Sequence, residues 1–310
     1  MDCRVTHTER MSNGNIPLRH HYVPQMILKN FQLPGEKLHF WRRGFEPGDV
    51  KRIATDKLFV EKDLYTVLGD DGERNVALER FFAQQESAAA DLIGQLLAAV
   101  RGGSIPRLDE GAWKLWHHFM YYSVKRTPGY MGAMVVKSGF QAQMHQAVAE
   151  LKAKELSVGR SDGHDELEAR LIKNAMVIAQ GLKPSDEVMA MFGELGMVIY
   201  RVTDPAKSLV VGDVPGAMAV IVPDDSESGK SLFIPLAHDL AVGYLRRPRT
   251  VHITTLDKSQ IRRMNEATTA RSRVIAGVSP QLLASLSRSV RYTGPVSIGE
   301  TTPEPGWNGV

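Results

Sequence analysis

The sequence predicts an α+β fold that is mainly α-helical and carries a small, antiparallel β-sheet in its C-terminal part. Two observations lead to this prediction. Residues 75–193 contain long segments whose apolar side chains recur every three or four residues, as in amphipathic helices. Residues 194–254 contain short β-branched runs separated by Gly, Asp and Pro, which is the pattern of strands joined by turns.

The overall composition is that of an ordinary globular protein. The chain has 310 residues, 43% of them hydrophobic, and a net charge of +3, which argues against a strongly cationic surface while leaving local nucleic-acid contact open. The only cysteine is Cys3, so a disulfide within the chain and a thiolate metal cage are excluded. No apolar run reaches the roughly 20 residues of a membrane helix, and residues 1–15 lack the apolar core of a signal peptide. We therefore expect a cytoplasmic protein with no membrane partner.

The first predicted element is organised around Pro24. A proline keeps the preceding residue extended and is favoured in the first turn of a helix, so Tyr22 and Val23 should be extended and the chain helical from Gln25. Short strands are predicted at residues 38–41 and 64–68, where apolar and aromatic residues lie between turn formers.

Helices are predicted to follow. Asn75 should cap a long helix that ends near Val100, before two glycines, and Asp109 should cap a second helix that ends at Pro128. Three further helices are predicted, at residues 131–156, at residues 166–179, and as a short helix that is opened by residues 184–186 and ends near Gly193.

The C-terminal part is predicted to close with a helix. Thr254 or Thr255 can cap it, and it should run to about Ala276, followed by a short helix at 281–287. The predicted organisation is a flexible arm at 1–16, one α+β domain at 17–290 and a flexible tail at 291–310. Within the domain, a helical part extends to about residue 193, a sheet part covers 194–254 and the closing helix covers 255–278.

The candidate site begins just before the first helix. His20, His21 and Gln25 surround Pro24, where unpaired backbone donors favour anions and a neutral imidazole. The residues therefore suit contact with an anion or a metal ion. The alternative is that one histidine and Gln25 are buried and bonded to backbone carbonyls.

Two predicted helices supply further candidates. Glu79 and Glu86, seven residues apart, lie on one flank of the apolar stripe of the first long helix, where both can face a cleft. Tyr122 and Arg126 lie one turn apart on the second long helix. Arg126, in its last turn, can either bind a carboxylate or phosphate of a ligand or form a structural ion pair.

The last candidates come from the second half of the chain. Asp213 is predicted at the end of a strand, in a bend rich in Gly and Pro that leaves room for a ligand, although Asp is also a common turn former. Asn265 lies on an unusually polar stripe of the closing helix and can hydrogen-bond into a site.

Taken together, several segments form a recognisable series, namely His-Tyr-Val-Pro-Gln at 21–25, the pair Glu79 and Glu86, residues 126–128, Asp213 with Pro215, residues 233–236 and Asn265. The series resembles a bacterial family with an HYVPQ motif, catalogued as domain of unknown function 4238. Members carry Ser-Asp-Asn-Pro around the strand-end aspartate, whereas this chain has Gly212-Asp213-Val214-Pro215. The resemblance implies the fold and the site positions, and it implies no activity.

Two classes of function are compatible with these residues. In the first, the protein is a hydrolase that acts on a nucleic acid or a nucleotide. His21 would then be a base or metal ligand, Glu86 and Asp213 would hold a divalent metal or an attacking water, and Arg126 would bind negative charge. His20, Gln25, Tyr122 and Asn265 would position the substrate. In the second, the same residues form a non-catalytic module that binds a small anion or a partner protein. No spacing in the chain is diagnostic of a metal site.

Overall fold

The described part of the chain contains eight α-helices and thirteen short β-strands. A computed structural model describes residues 19–69, 73–129, 140–156, 164–220 and 230–294. The helices are α1 (Gln25–Lys29), α2 (Ala77–Arg101), α3 (Glu110–Lys125), α4 (Phe140–Leu156), α5 (His164–Gly181), α6 (Asp186–Gly193), α7 (Lys258–Arg271) and α8 (Pro280–Ser289). The strands are β1 (Arg19–His21), β2 (Leu38–Arg42), β3 (Lys51–Ile53), β4 (Val60–Lys62), β5 (Val67–Leu68), β6 (Arg74–Asn75), β7 (Gly196–Arg201), β8 (Val211–Gly212), β9 (Ala217–Val220), β10 (Lys230–Ala237), β11 (Leu240–Leu245), β12 (Val251–Thr255) and β13 (Val274–Gly277).

Local sequence signals place the start of the early helices. Pro24 is extended, with φ −54° and ψ 132°, and α1 follows it directly as predicted. The side chain of Asn75 accepts the amide hydrogen of Ala77 at 2.9 Å, and that of Asp109 accepts the amide hydrogen of Ala112 at 2.8 Å. The Asp109 side chain satisfies a donor that has no partner within the helix, so this predicted cap is confirmed. The cap residue of α2 is Val76, so the prediction of Asn75 as the cap is wrong by one residue.

The prediction of a small, antiparallel C-terminal sheet is wrong, although the fold is α+β. One sheet has five strands in the order β12-β7-β11-β10-β9 and is mixed, because β12 runs parallel to β7 while the other pairs are antiparallel. A second sheet has four strands in the order β3-β2-β13-β8 and joins the front of the chain to its end.

The error arises because no strand is predicted at residues 251–255 and residues 274–277 are assigned to the closing helix. Residues Val251–Thr255 pair with β7, and Val274–Gly277 lie between β2 and β8. The helix between them starts later, at Asp257, which forms a capping box with Gln260. Both segments begin with valine, whose preference for strands depends strongly on context. Pairing with distant strands therefore decides the structure of both segments.

The predicted strand at 64–68 is also only partly right. Asp63 adopts a left-handed φ of 56° and residues 63–65 form a turn, so that only Val67–Leu68 is a strand. The predicted arm at 1–16, the residues 131–139 of one predicted helix and the tail from 295 lie outside the described residues.

The largest core cluster lies where α1, α2 and α3 meet the five-stranded sheet. Its fully buried side chains include Leu28, Phe31, Trp116 and Phe233. A smaller aromatic cluster of Tyr65, Phe82 and Tyr122 lies next to it. Among the helices that the structure describes, none combines the length and the apolar character required to cross a bilayer.

His117 provides a test of this packing. Its ring lies between Trp113 at 5.7 Å and Phe192 at 5.4 Å, and 6.1 Å from the ring of Tyr244. Among the residues that the structure describes, Nδ1 has no hydrogen-bond partner. Burial lowers the pKa of His117 to about 4, with a smaller contribution from His118.

Because the folded protein binds this proton less readily than the unfolded chain, stability should be lost as the pH falls from 6.5 towards 4. Between pH 7 and pH 4.5 the free energy of unfolding should fall by about 2–3 kcal/mol less in His117→Phe than in the wild type, as measured by urea unfolding at both pH values. The more exposed His118→Gln serves as the control. Equal losses in the wild type and in H117F would contradict the assignment.

Candidate functional site

Arg126 is the centre of a polar cluster at the end of α3. It is the first residue after the helix, its side chain is 5% exposed, and each nitrogen of its guanidinium has a protein acceptor. Nη1 donates to Glu86 Oε1 at 2.5 Å, Nε donates to the Tyr65 hydroxyl at 3.1 Å, and Nη2 donates to the carbonyl oxygen of His21 at 2.5 Å. Three segments that are distant in the sequence are thus joined by one side chain.

Aromatic rings surround the same guanidinium. Its Cζ lies 4.8 Å from the centre of the Phe82 ring and 5.4 Å from that of Tyr65, which adds cation–π attraction. Tyr122 packs its ring against Phe82 at 5.9 Å and against Phe81 at 5.1 Å. Tyr122 is therefore part of the aromatic support of the site, and burial raises its pKa.

Of the two alternatives for Arg126, the structure shows the structural ion pair. Burial disfavours its charge, but Tyr65 and Glu86 outweigh that effect and raise its pKa, so the side chain stays cationic. Because its nitrogens are used inside the protein and little of it reaches solvent, Arg126 holds the site together instead of binding an anion.

His20 is likewise structural. It is fully buried, its ring stacks on Tyr65 with centroids 5.5 Å apart, and its Nδ1 accepts the amide hydrogen of Tyr65 at 2.9 Å. Glu79 Oε2 lies 3.9 Å from the same nitrogen. Since that Nδ1 lone pair already holds a hydrogen bond, the contact with Glu79 is not an ion pair through Nδ1.

Three side chains near Arg126 are partly exposed to solvent. Glu79 and Glu86 are 26% and 24% exposed, and His21 is half-buried with Nε2 at 3.3 Å from the carbonyl oxygen of Thr55. Burial lowers the pKa of His21. Burial also raises the pKa of Glu79, Arg126 opposes this shift and Glu86 adds to it. The imidazole is therefore neutral at neutral pH, and the Glu79 carboxyl holds its proton more strongly than an ordinary glutamate.

Asp213 lies at a strand end, as predicted. Its Oδ1 accepts the amide hydrogen of Arg273 at 2.9 Å and its own amide donates to the carbonyl oxygen of Val274 at 3.1 Å, which ties it to β13. Burial raises its pKa against these hydrogen bonds. The charge of Asp213 in turn acts on the hydroxyl of Tyr22, the residue that follows His21. Asp213 is thus linked electrostatically to the His21 segment.

Two predicted residues lie elsewhere. Asn265 is buried, accepts the amide hydrogen of Val210 at 2.9 Å and donates to the carbonyl oxygen of Ser208 at 2.9 Å. It holds the segment that leads into β8 and lines a different cavity, shared with Lys207. Gln25 is half-buried at the start of α1, and none of the described hydrogen bonds of the Arg126 cluster involves it.

A cavity of about 350 Å³ adjoins the cluster. Its wall includes Glu61 and Lys62 from β4, and Lys173 and Gln180 from α5. Glu61 is the direct neighbour of His20 in the β1–β4 pair, and Gln180 Nε2 donates to the carbonyl oxygen of Arg126 at 3.4 Å. The cavity is therefore linked to the cluster through Glu61 and Gln180, and its lining does not include His21, Glu86 or Arg126.

Within the described ranges, no group of three or more His, Cys, Asp or Glu side chains is arranged to hold a metal ion. The predicted combination of His21, Glu86 and Asp213 is therefore not found there as a metal-binding group.

Tyr65 is a part of the site that the sequence did not indicate. Its hydroxyl accepts from Arg126 Nε and donates to the carbonyl oxygen of Arg126 at 3.1 Å. The residue lies in an apolar run that resembles a strand, and only a backbone turn brings its amide to His20. No local sequence signal distinguishes this tyrosine from a core residue.

Comparison with known proteins gives one match. A family model described as a protein of unknown function, DUF4238, matches residues 19–278, a range that contains every residue of the cluster. Neither the search of curated proteins nor that of solved structures gives a match.

Proposed function

The chain belongs to the DUF4238 family of proteins of unknown function, and we propose that it is a hydrolase acting on a phosphate-containing substrate, a nucleic acid or a nucleotide. One observation carries the proposal, namely that the buried Arg126 binds both Glu86 and the main chain of His21, while Glu79, on the same helix as Glu86, lies 3.9 Å from Nδ1 of the adjacent His20. The cytoplasm of a bacterium is the expected setting, and the single cysteine supports a reducing compartment.

The two shifted pKa values assign an acid and a base. The pKa of His21 is lowered and that of Glu79 is raised, mainly by burial in both cases, so a neutral imidazole and a protonated carboxyl can coexist. A proton on His21 Nε2, donated to the Thr55 carbonyl, leaves Nδ1 free to accept a proton from an attacking water. As the water oxygen bonds to phosphorus, Glu79 donates its proton to the leaving oxygen.

The remaining side chains position these groups. Arg126 fixes Glu86 and the main chain of His21, which sets the distance between base and carboxylates. Lys62 and Lys173 in the adjoining cavity supply positive charge for a phosphate group. The cavity volume of about 350 Å³ lies within the usual range of small-molecule sites, roughly 300–1,000 Å³.

Two substitutions test the proposal. We expect His21→Ala and Glu79→Gln each to lower kcat/KM on a phosphodiester or nucleotide substrate by about a hundredfold or more, with an unchanged melting temperature. Stability should persist because Arg126 binds the His21 carbonyl and not its ring. His252→Ala, on the exposed side of β12, is the matched control.

The pH profile gives a second readout of the same roles. The active form needs neutral His21 and protonated Glu79, so activity should fall on the acid side as His21 gains a proton and on the alkaline side as Glu79 loses one. Because burial lowers the pKa of His21 from 6.5 and raises that of Glu79 from 4.5, the pH profile should be bell-shaped. A folded wild type that hydrolyses no such substrate, with or without Mg²⁺ or Mn²⁺, would instead favour a non-catalytic module that binds an anion or a partner.

A further inference from the structure

We infer that a second cavity, separate from the Arg126 cluster, binds the phosphate group of a small molecule. The cavity has a volume of about 340 Å³ and is lined by residues 206–208, by the first half of α7 and by the start of α8. We call it the Lys207 cavity. Its described lining shares no residue with the Arg126 cluster or with the cavity beside that cluster. A ligand there would therefore bind independently of the proposed hydrolysis.

The charged side chains of the Lys207 cavity are all cations. Lys207, Lys258 and Arg262 border it, and its described lining contains no Asp or Glu. Lys207 and Lys258 are exposed, and neither ammonium group forms an ion pair or a hydrogen bond with another described residue. Two ammonium groups without a protein partner on the wall of one cavity attract a ligand that carries two negative charges.

Arg262, in contrast, is used inside the protein and holds two walls of the cavity together. Its Nε donates to Glu266 Oε1 at 2.5 Å, within α7. Its Nη1 and Nη2 donate to the hydroxyls of Ser285 and Ser289 on α8, at 3.2 and 2.9 Å. Glu266 therefore balances the charge of Arg262, and the two lysines remain for a ligand.

A buried hydroxyl on the cavity wall has no partner in the described part of the chain. Ser208 is only 6% exposed and lines the cavity, yet its hydroxyl takes part in none of the hydrogen bonds between described residues. Its position is fixed, because its carbonyl oxygen accepts from Asn265 Nδ2 at 2.9 Å. A buried hydroxyl without a partner costs free energy, and a ligand oxygen in the cavity is an acceptor that removes this cost.

The start of the ten-residue helix α8 adds a main-chain donor. The hydroxyl and the carbonyl oxygen of Ser279 accept the amide hydrogens of Leu282 and Leu283, each at 3.2 Å, and Pro280 has no amide hydrogen. In the described part of the chain, the amide of Gln281 is therefore the donor of this turn that lacks an acceptor, and Gln281 borders the cavity. Free amides at a helix start favour an anion.

A phosphate group matches this set of donors in charge and in number of oxygens. Two ammonium groups, one hydroxyl and one amide offer donors to the several oxygens of one tetrahedral group. A phosphate monoester carries about −1.5 to −2 charges at pH 7, which matches the two lysines. The lining also contains Ile261 and Leu282, which offer apolar contact to an organic part of the ligand. The volume lies within the usual range of small-molecule sites, roughly 300–1,000 Å³.

Isothermal titration calorimetry with phenylphosphonate and with inorganic phosphate tests the inference. The C–P bond of phenylphosphonate resists hydrolysis, so binding is measured without turnover. The whole chain carries Lys62→Ala/Lys173→Ala, which removes the cations of the cavity beside the Arg126 cluster. We expect this protein to bind at least one of the two ligands, and added Lys207→Ala/Lys258→Ala to weaken that binding about a hundredfold, roughly tenfold for each charged donor. Added Ser208→Ala should weaken it about threefold to tenfold at an unchanged melting temperature.

Added Lys57→Ala/Arg263→Ala is the matched control, since it removes the same charge from two exposed side chains outside the lining. It should leave the affinity within about twofold. Tighter binding of phenylphosphonate identifies an organic phosphate as the ligand, and equal binding of both identifies free phosphate; either result supports the site. No binding of either ligand at about 10 mM, or equal affinity with and without Lys207 and Lys258, would overturn the inference. Neither result bears on hydrolysis at the Arg126 cluster.

Discussion

Arg126→Met is expected to lower the free energy of unfolding by about 3–5 kcal/mol, because it breaks a buried ion pair and leaves its partners without a donor. Glu86 loses its ion pair, the Tyr65 hydroxyl loses a donor, and the carbonyl oxygen of His21 loses the hydrogen bond from Nη2. The methionine side chain retains contact with Phe82, so the expected loss comes mainly from the polar groups.

Urea unfolding at neutral pH measures this loss, and Arg101→Ala is the matched control. Arg101 forms two hydrogen bonds with Asp239, at 2.8 and 2.7 Å, but its side chain is 45% exposed. Its removal should therefore cost no more than about 1 kcal/mol. If the two variants lost the same stability, the Arg126 cluster would not be the buried network described above.

The elements of the first half of the chain could largely be predicted from local sequence signals. Pro24 before α1 and the capping residue Asp109 before α3 act within a few residues of themselves, so the sequence alone shows where these helices begin. The start of α2 is predicted to within one residue, since its cap is Val76 instead of Asn75. The position of Glu79 and Glu86 on one flank of α2 follows from helix periodicity in the same way.

The partners inside the site could not be predicted in this way. The Arg126 guanidinium contacts a carboxylate 40 residues away and a main-chain carbonyl 105 residues away. Whether such an arginine binds a ligand or an internal carboxylate depends on these tertiary contacts, and periodicity carries no information on them. For the same reason His20 could be placed near the site but not recognised as fully buried against Tyr65.

The prediction of the sheet topology failed for a related reason. A β-branched segment such as Val251–Thr255 is compatible with a strand or with the approach to a helix, and only its pairing with β7 decides between them. Because β12 is parallel to β7, the chain must leave β11 and cross the N-terminal end of β7. The loop of residues 246–250 makes this crossing. No short motif encodes that crossing.

Gly196→Ala is expected to destabilise the protein by about 3 kcal/mol, because this crossing leaves no room for a Cβ atom. A Cβ on Gly196 would lie 2.6 Å from the carbonyl oxygen of Thr250 and closer still to that of Arg247. The loop cannot easily move away, since the Thr250 carbonyl accepts the amide hydrogen of Met197 at 2.8 Å. Arg249 in the same loop already adopts a left-handed φ of 53°.

Gly94→Ala is the matched control, because the same substitution should raise the free energy of unfolding at a position with open space for a Cβ atom. Gly94 lies inside α2, and a Cβ there would meet no atom of the described residues within 4 Å, apart from the helix's own backbone. The substitution should stabilise the helix by about 0.5–1 kcal/mol, since alanine loses less backbone entropy than glycine. Thermal and urea unfolding of both variants measure the difference. A cost below about 1 kcal/mol for G196A would show that the loop does not press on the start of β7, and the parallel placement of β12 would then lose its main steric support.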